Sequence, residues 1–474
     1  MPRLFLFSLL FCSLFSTKIK AATTWQQADS ADMGLILIKS ISIQGNKRTK
    51  DRIILREMSF KAGDTLRNEA IEKAILLSRN RIFNTGLFVT VDLLLIGDLP
   101  EKDLVIHVKE RWYTYPVPIF ELADRNFNEW WQQRGHDLKR TNFGLFFVQK
   151  NVRGRNETLR ARIQMGFTKK YELGYYIPYL TKNQKLGVSA IVSYATNKQV
   201  AYKTSNHKLS YLELENSKVL RELFTSSVTF TYRKKFYQTH YLSGYFNDNA
   251  IADTIAALNP RYFLEGRTQQ HYFSMKYSFI HDFRDISYYP LKGSYFRFDA
   301  EHLGLGLSHD INQVIFRFEY AKYMKLGNKF YLAGGLRQKI SFPYNQPYFN
   351  FKSLGYGRDY VSGYELYVVD GQHYSLAKVN LKYQLFSKKI KAEGVPVNQF
   401  ETIPFALYIR AYTDAGYVRD NSFNPENTAL ANTLMLGGGL GLDLVTYYDM
   451  VFRVEYSINR QSRQGVYLHM RAPI

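Results

Sequence analysis

The sequence predicts a mainly β fold: a transmembrane antiparallel β-barrel of about sixteen strands, preceded by one small α+β domain. Three observations predict it. First, apolar and polar side chains alternate over segments of about ten residues, the pattern of a strand with one lipid face and one lumen face. From Ala377 to Leu385 the apolar positions are Ala377, Val379, Leu381, Tyr383 and Leu385, and Lys378, Asn380, Lys382 and Gln384 lie between them. Second, no apolar run of about eighteen residues or more follows the N-terminus, which excludes a helical membrane protein. Mean hydropathy is −0.30 although 46% of the residues are hydrophobic, because alternation hides a membrane-facing surface. Third, a stretch of about thirty residues separates the alternating runs Phe330 to Phe342 and Ser375 to Phe386, far more than an ordinary connection. Its part from Gly355 to Gly371 is aromatic, glycine-bearing and charged rather than a solvating polar tract, which argues for a packed plug or latch.

At the N-terminus, Leu4 to Phe15 is a short apolar run behind Arg3, followed by the small residues Ala21 and Ala22. It is too short to cross a bilayer as a helix and reads as an export signal over residues 1–22. Cys12, the only cysteine, lies inside it, and Phe11 before it is not the small residue of a lipoprotein cleavage site. The mature chain then holds no thiol, so disulfides and cysteine metal sites are excluded.

Residues 35–112 form a unit of another kind. Leu35 to Gln44 is strand-like and closes on Gly45-Asn46. Helical spacing follows at Ile71, Ala74, Ile75 and Ile82, with Asn68 as expected N-cap and Gly86 as stop. The strands Leu87 to Ile96 and Leu104 to Lys109 flank a polar turn from Gly97 to Asp103. Such a unit presents unpaired strand edges to which an extended peptide can add.

From Tyr113 onward alternation returns repeatedly. Leu159, Ala161, Ile163 and Met165 oppose Arg160, Arg162 and Gln164; Phe296, Phe298 and Ala300 oppose Arg297, Asp299 and Glu301; Phe452, Val454, Tyr456 and Ile458 oppose Arg453, Glu455, Ser457 and Asn459. The tally is sixteen or seventeen strands, with Lys185 to Glu215 ambiguous, and a single-chain bacterial barrel normally takes the even number. The 37 Tyr and 34 Phe would supply aromatic girdles at both membrane interfaces. The formal net charge is +22, and Arg160, Arg162, Arg297, Arg317, Arg337, Lys339, Lys378, Lys382 and Arg453 fall opposite the apolar face, which predicts a basic, water-filled bore.

Two sets of motifs resemble a known family. Ile43-Gln44-Gly45-Asn46-Lys47-Arg48-Thr49, Gly63-Asp64, Asn84-Thr85-Gly86-Leu87-Phe88 and Val108-Lys109-Glu110-Arg111 resemble a polypeptide-transport-associated (POTRA) domain. Asp282-Phe283-Arg284-Asp285 with Pro290-Leu291-Lys292-Gly293, Asp414-Ala415-Gly416-Tyr417-Val418, and Gly437 to Asp443 are similar, in order, to barrel motifs of the BamA/TamA outer-membrane assembly family, the bacterial surface antigen superfamily. The resemblance implies a periplasmic POTRA domain at 35–112 and an outer-membrane barrel at 113–474, with a lumen loop at about 343–372 folded into the bore. In the family that loop carries a Val-Arg-Gly-Tyr-like tetrad whose Arg pairs with wall carboxylates. Here Val361, Ser362, Gly363 and Tyr364 occupy it, and Ser cannot supply a bidentate, charge-assisted bond. The expectation is either a lost latch or a substitute pair, Arg358 with Asp414.

No enzyme chemistry is expected. A Gly-x-Ser-x-Gly elbow is missing, the Gly437 to Gly441 cluster lacks dinucleotide-binding spacing, and the ten His show no paired zinc spacing, so neither cofactor nor metal is expected. Nucleic acid is excluded as a partner, since export separates the chain from it. What the resemblance implies is assembly or passage of unfolded outer-membrane or secreted polypeptides, with outer-membrane lipid and periplasmic helper proteins as further partners. It needs a weak seam between the first strand, near Tyr113 to Ala123, and the last, near Val466 to Ile474, where Pro473 cannot donate. The alternative is a passive channel or structural barrel that has lost the machinery.

Overall fold

The computed structural model describes residues 34–181, 183–214, 218–391, 402–422, 425–446 and 450–469. The export-signal reading of residues 1–22, Cys12 and Pro473 lie outside the described residues.

The small domain runs β1 (Leu35–Gln44), a helix Asp51–Leu55, β2 (Thr65–Arg67), a helix Asn68–Asn84, β3 (Phe88–Ile96) and β4 (Glu101–Glu110). Its sheet has the order β2-β1-β4-β3, with β1 and β4 parallel and the other pairs antiparallel. Ile71 and Ile82 recur on one face of the longer helix and pack over Ile36, Ile38, Leu104 and Ile106. Asn68 is the first helical residue, not the cap; extended Arg67 precedes it and offers no side-chain bond. The polar turn is also shorter than expected, because β4 already begins at Glu101. Gly86 follows the helix at φ +71°, the left-handed position a stop requires. The motif residues meet in space: a Cβ on Gly45, at φ +93°, would overlap the Val108 carbonyl oxygen, and the Glu110 carboxylate accepts from Thr49 N at 2.7 Å and Thr49 Oγ1 at 2.6 Å.

The chain continues through β5 (Thr114–Leu122), β6 (Thr141–Val152), β7 (Glu157–Gly166), β8 (Thr168–Ile177), β9 (Leu186–Asn197), β10 (Gln199–Ser205), β11 (Lys208–Glu213) and β12 (Arg221–Lys235). Next come β13 (Gln238–Ile251), β14 (Gln269–Asp282), β15 (Gly293–Leu303), β16 (Gln313–Lys325), β17 (Phe330–Phe342), β18 (Lys352–Leu354) and β19 (Val369–Asp370). The last are β20 (His373–Lys391), β21 (Thr402–Arg419), β22 (Leu434–Val445), β23 (Val451–Asn459) and β24 (Gln464–His469). Sixteen of them form one antiparallel meander from β5 to β24. The ambiguity at Lys185 to Glu215 resolves simply: β9 is a wall strand, while β10 and β11 pair only with each other.

This wall is inverted relative to a water-soluble domain. Leu381, Ile409, Leu440, Leu442, Val454 and Ile458 are exposed, whereas Asn380, Arg410, Asp443, Glu455 and Ser457 are buried. Strand periodicity puts the first set on the outside and the second in the bore, as a lipid-facing barrel requires.

The small domain docks on the near rim of the barrel. Arg233, at the end of β12, makes two bonds to the Glu57 carboxylate, at 2.7 and 3.0 Å. Arg56 lies 4.3 Å over the Tyr179 ring, and Arg81 stacks on Phe236 at 3.8 Å and reaches the Tyr237 hydroxyl. Lys50 N donates to Gly154 O at 3.0 Å, and Asn151 Nδ2 to Thr49 Oγ1 at 2.8 Å. Replacing Glu57 by Ala removes both bonds to the carboxylate and leaves Arg233 only the Phe236 carbonyl, at a cost of about 2 kcal/mol for charge-assisted bonds. Limited proteolysis at the junction near Trp112 should therefore release the small domain faster from Glu57→Ala than from the wild type; equal rates would show that this pair contributes nothing to docking.

Candidate functional site

The thirty-residue connection from β17 to β20 folds into the bore, where β18 and β19 make a short hairpin. Leu354, Val361, Tyr364 and Val369 pack against Tyr374, Leu376, Val418 and Met435 of the wall. All four residues of the tetrad, Val361, Ser362, Gly363 and Tyr364, are buried.

Asp414 holds this segment, but Arg358 is not its partner. The carboxylate accepts from Ser362 N at 3.0 Å and Ser362 Oγ at 2.5 Å, and Lys378 Nζ lies 3.0 Å away. Arg358 is exposed, and its carbonyl oxygen accepts from Arg337 Nη1 at 3.2 Å. The expected pair is therefore corrected, for a physical reason. A Cβ on Gly437 would overlap the Ser362 carbonyl oxygen, and one on Gly416 would strike Val361. The glycines let the segment lie flat on the wall, so a short hydroxyl reaches where a long guanidinium would otherwise be needed. Lys378 stands directly opposite Asp414 in the β20–β21 register and supplies the missing positive charge. Asn459 Nδ2 also donates to Gly363 O at 2.6 Å, and Gly363 sits at φ +83°.

Most of the basic residues meet carboxylates across or along the strands. Arg160 and Arg162 approach Glu172 and Glu121 at 3.5 and 3.8 Å; Arg297 and Arg317 bond Asp299 and Glu301 at 2.9 and 2.7 Å; Arg337 contacts Glu319 at 3.0 Å. Arg453 clasps Asp443 at 2.7 and 3.0 Å, and Arg410 joins Asp443 to Glu455. Lys339 donates instead to the Gly371 and Lys352 carbonyls, the former at 3.2 Å, while Lys382 lies 4.2 Å over the Tyr289 ring. The bore is thus a paired network rather than an array of unmatched cations. Its near end is closed by the turn that carries the Asp282 to Gly293 motif: Arg284 clasps Asp282 at 2.7 and 2.5 Å, and Asp285 Oδ1 accepts from Ile286 N and Leu291 N. A Cβ on Gly293 would overlap the Phe283 carbonyl oxygen, so the turn after Pro290 needs a glycine there. That turn lifts Tyr289 into the bore, where its hydroxyl donates to Asp443 at 2.9 Å.

Among the described residues, one buried carboxylate has both oxygens left over. Glu365 is 2% exposed, and neither of its oxygens has a hydrogen-bond partner. Burial pushes this carboxyl, on a segment that does not itself cross the membrane, up to about 8.

The wall has a seam. Among the described residues no ladder joins β5 to β24, the two ends of the sheet. In an antiparallel strand the N–H and C=O of one residue point to the same side. Lys150 N donates to Tyr113 O and Ala123 N to Arg140 O, so odd-numbered residues of β5 face β6 and even-numbered ones face the seam. Pro116 and Pro118 both fall on the seam edge and remove two donors from it. On β24, Asn459 N donates to Arg463 O, which again leaves the even-numbered residues facing the seam. Asn128 Nδ2 reaches one of them, the Val466 carbonyl, at 2.5 Å. Asn128 sits on a helix, Phe127–Gln133, whose Asn126 cap accepts from Glu129 N at 2.8 Å. The same stretch grips the lumen segment: Arg125 donates to Gly355 O and Tyr367 O, and Asn126 Nδ2 to Glu365 O. Sequence reading missed this helix and the two prolines, although Asn126-x-x-Glu129 and Pro116-x-Pro118 carry the signals.

A family profile described as surface antigen variable number repeat, POTRA, matches residues 36–111, and one described as Omp85 superfamily domain matches residues 151–448. No curated protein sequence matches the chain. Among solved structures, BamA from Haemophilus ducreyi lacking POTRA domains 1-3 is similar at 15% identity and TM-score 0.50, over 92% of this chain and 83% of that one. CdiB from Escherichia coli is similar at 11% identity and TM-score 0.56, over 92% of this chain and 76% of that one. At these identities the likeness speaks for the fold.

Removing the Asp414 carboxylate leaves Lys378 and the Ser362 amide facing a gap, a loss of about 3 kcal/mol or more for a buried charged partner. Asp414→Ala should raise single-channel conductance and lower the temperature at which heat-modifiability is lost, while Arg358→Ala should match the wild type. Equal behaviour of the two variants would refute this anchoring.

Proposed function

The chain belongs to the Omp85 superfamily, and we propose on that basis that it is an outer-membrane factor that inserts membrane proteins or passes polypeptide across the membrane, with its small domain in the periplasm. In this orientation the near rim is periplasmic and the segment 343–372 enters the bore from the outer side. The observation that carries the reading is the seam: every interior strand of the wall is laddered to both neighbours, whereas β5 and β24 present edges with two donors deleted and one acceptor occupied by a side chain. Within the wall, among the described residues, an incoming strand finds a whole unpaired strand edge there. A second template is β3, at the edge of the periplasmic sheet, where an unfolded client would first add. Clients, outer-membrane lipid and periplasmic helpers are the partners this mechanism implies, and no catalytic step is assigned.

The passive-channel alternative is weaker. A conducting pore needs an open bore, and this one is entered from above by a segment anchored on Asp414 and from below by the Tyr289 turn. Nor does Ser362 argue for lost machinery, since the anchor persists in another form.

Depleting the protein and then taking a census of outer-membrane proteins tests the reading: specific clients should fall in abundance. The reading fails if none falls while small-solute uptake drops. At the level of residues, Pro116→Val with Pro118→Val restores two seam donors, worth about 1 kcal/mol each if paired. The double variant should resist heat unfolding better than the wild type and support assembly less well; full activity with unchanged stability would remove the seam from the mechanism.

A further inference from the structure

Glu365, Glu455 and His469 come from three different elements, the lumen segment, β23 and β24, yet their ligand atoms lie within 4.8 Å of one another. Both glutamates are almost wholly buried, at 2% and 1% exposure. Neither Glu365 oxygen nor Glu455 Oε2 has a hydrogen-bond partner. A buried carboxylate without a partner is costly, and two side by side are more so. Lys378 and the backbone around Gly363 and Glu365 offset this cost only in part, and Arg410 and Arg453 both approach the other oxygen, Glu455 Oε1, and leave Oε2 turned toward His469. His469 Nε2 lies 3.4 Å from Glu455 Oε2. That spacing is the edge of a tetrahedron whose bonds are about 2.1 Å, the length of zinc–nitrogen and zinc–carboxylate bonds. Tyr360 stacks on the His469 ring, with its hydroxyl 3.3 Å from Nε2.

We propose that Glu365, Glu455 and His469 form a binding site for a divalent transition-metal ion, with zinc as the best match to one imidazole and two carboxylates. Magnesium and calcium are disfavoured by the imidazole, and a soft monovalent ion by the lack of sulfur. The guanidinium groups on Glu455 Oε1 act against the ion's charge and keep the affinity below that of a closed structural zinc site. Bound there, the ion ties the lumen segment to the last two strands, one of which borders the seam. No sequence spacing marks the site, because its ligands are scattered over about a hundred residues and converge only through the fold.

The inference stands on its own geometry and does not rest on the proposed transport function; a chain that binds zinc without handling clients, or the reverse, separates the two. The test uses the full chain without a polyhistidine tag, in detergent, equilibrated with zinc chloride and gel-filtered before elemental analysis. Cobalt replaces zinc in parallel, to read the visible bands of a tetrahedral site. The wild type should retain about one ion per chain and show the cobalt bands, with Glu365→Gln and His469→Ala at least about tenfold weaker. Glu365→Gln keeps the side-chain shape, and heat-modifiability confirms that each variant is folded. No retained ion in the wild type, or equal retention in both folded variants, would overturn the proposal.

Discussion

One buried carboxylate, Asp414, anchors the tetrad of the plug to the wall, beside the bonds that Lys339, Arg337 and Asn459 make to the same segment. A buried anion must be satisfied from within the protein, and Asp414 is met from two directions: by the Ser362 amide and hydroxyl on the lumen segment, and by Lys378 on the neighbouring strand. Neither partner alone would serve. Lys378 without the plug leaves carboxylate lone pairs unfilled, and Ser362 without Lys378 leaves a negative charge uncompensated. Gly416 and Gly437 then become steric requirements, because only a bare backbone lets the plug approach closely enough for a serine to reach. Similar logic governs the Arg410, Asp443, Arg453 and Glu455 network below it, where charges buried between the wall and the Tyr289 turn pair with one another.

Stability is distributed unevenly around the ring. β20 and β21 run for 19 and 18 residues and ladder along their length, whereas β24 has six residues and a single laddered neighbour. Backbone hydrogen bonds in a bilayer have no water to fall back on, so an open edge is costly and has to be covered. Here the helix Phe127–Gln133 covers part of it, by placing Asn128 on the Val466 carbonyl while Arg125 and Asn126 hold the plug. One short stretch thus touches both the seam and the plug.

Much of this was legible in the sequence. Period-two alternation is imposed by strand geometry and by the contrast between lipid and bore, so the barrel and its polar interior could be read from single runs such as Ala377 to Leu385, whereas the count of sixteen rather than seventeen rested on the even number that a single-chain barrel takes. The plug announced itself by length and composition. What could not be read was pairing across distance. Lys378 is recognisable in the sequence as a bore cation and Asp414 as an acceptor, but only the β20–β21 register sets them opposite each other; sequence proximity to the tetrad offers Arg358 or a lost latch instead. Part of the pairing of the basic face was equally hidden, because Glu172, Glu319, Asp414 and Asp443 lie on strands next to their partners. Pro116, Pro118 and the Asn126 cap were local signals that went unread, since a proline's effect on an edge depends on which side of the strand its nitrogen faces.

Residue-resolved amide hydrogen exchange on the barrel in lipid nanodiscs tests the central claim, a wall complete everywhere except at one seam. Amides of β13, laddered on both sides, should be protected throughout. In β5, protection should alternate, with Ile119 and Glu121 slow and Phe120 fast; in β24, Tyr467 should be slow and Leu468 fast. Uniform protection of Phe120 and Leu468 at the level of β13 would mean that the first and last strands are joined, and would contradict the account.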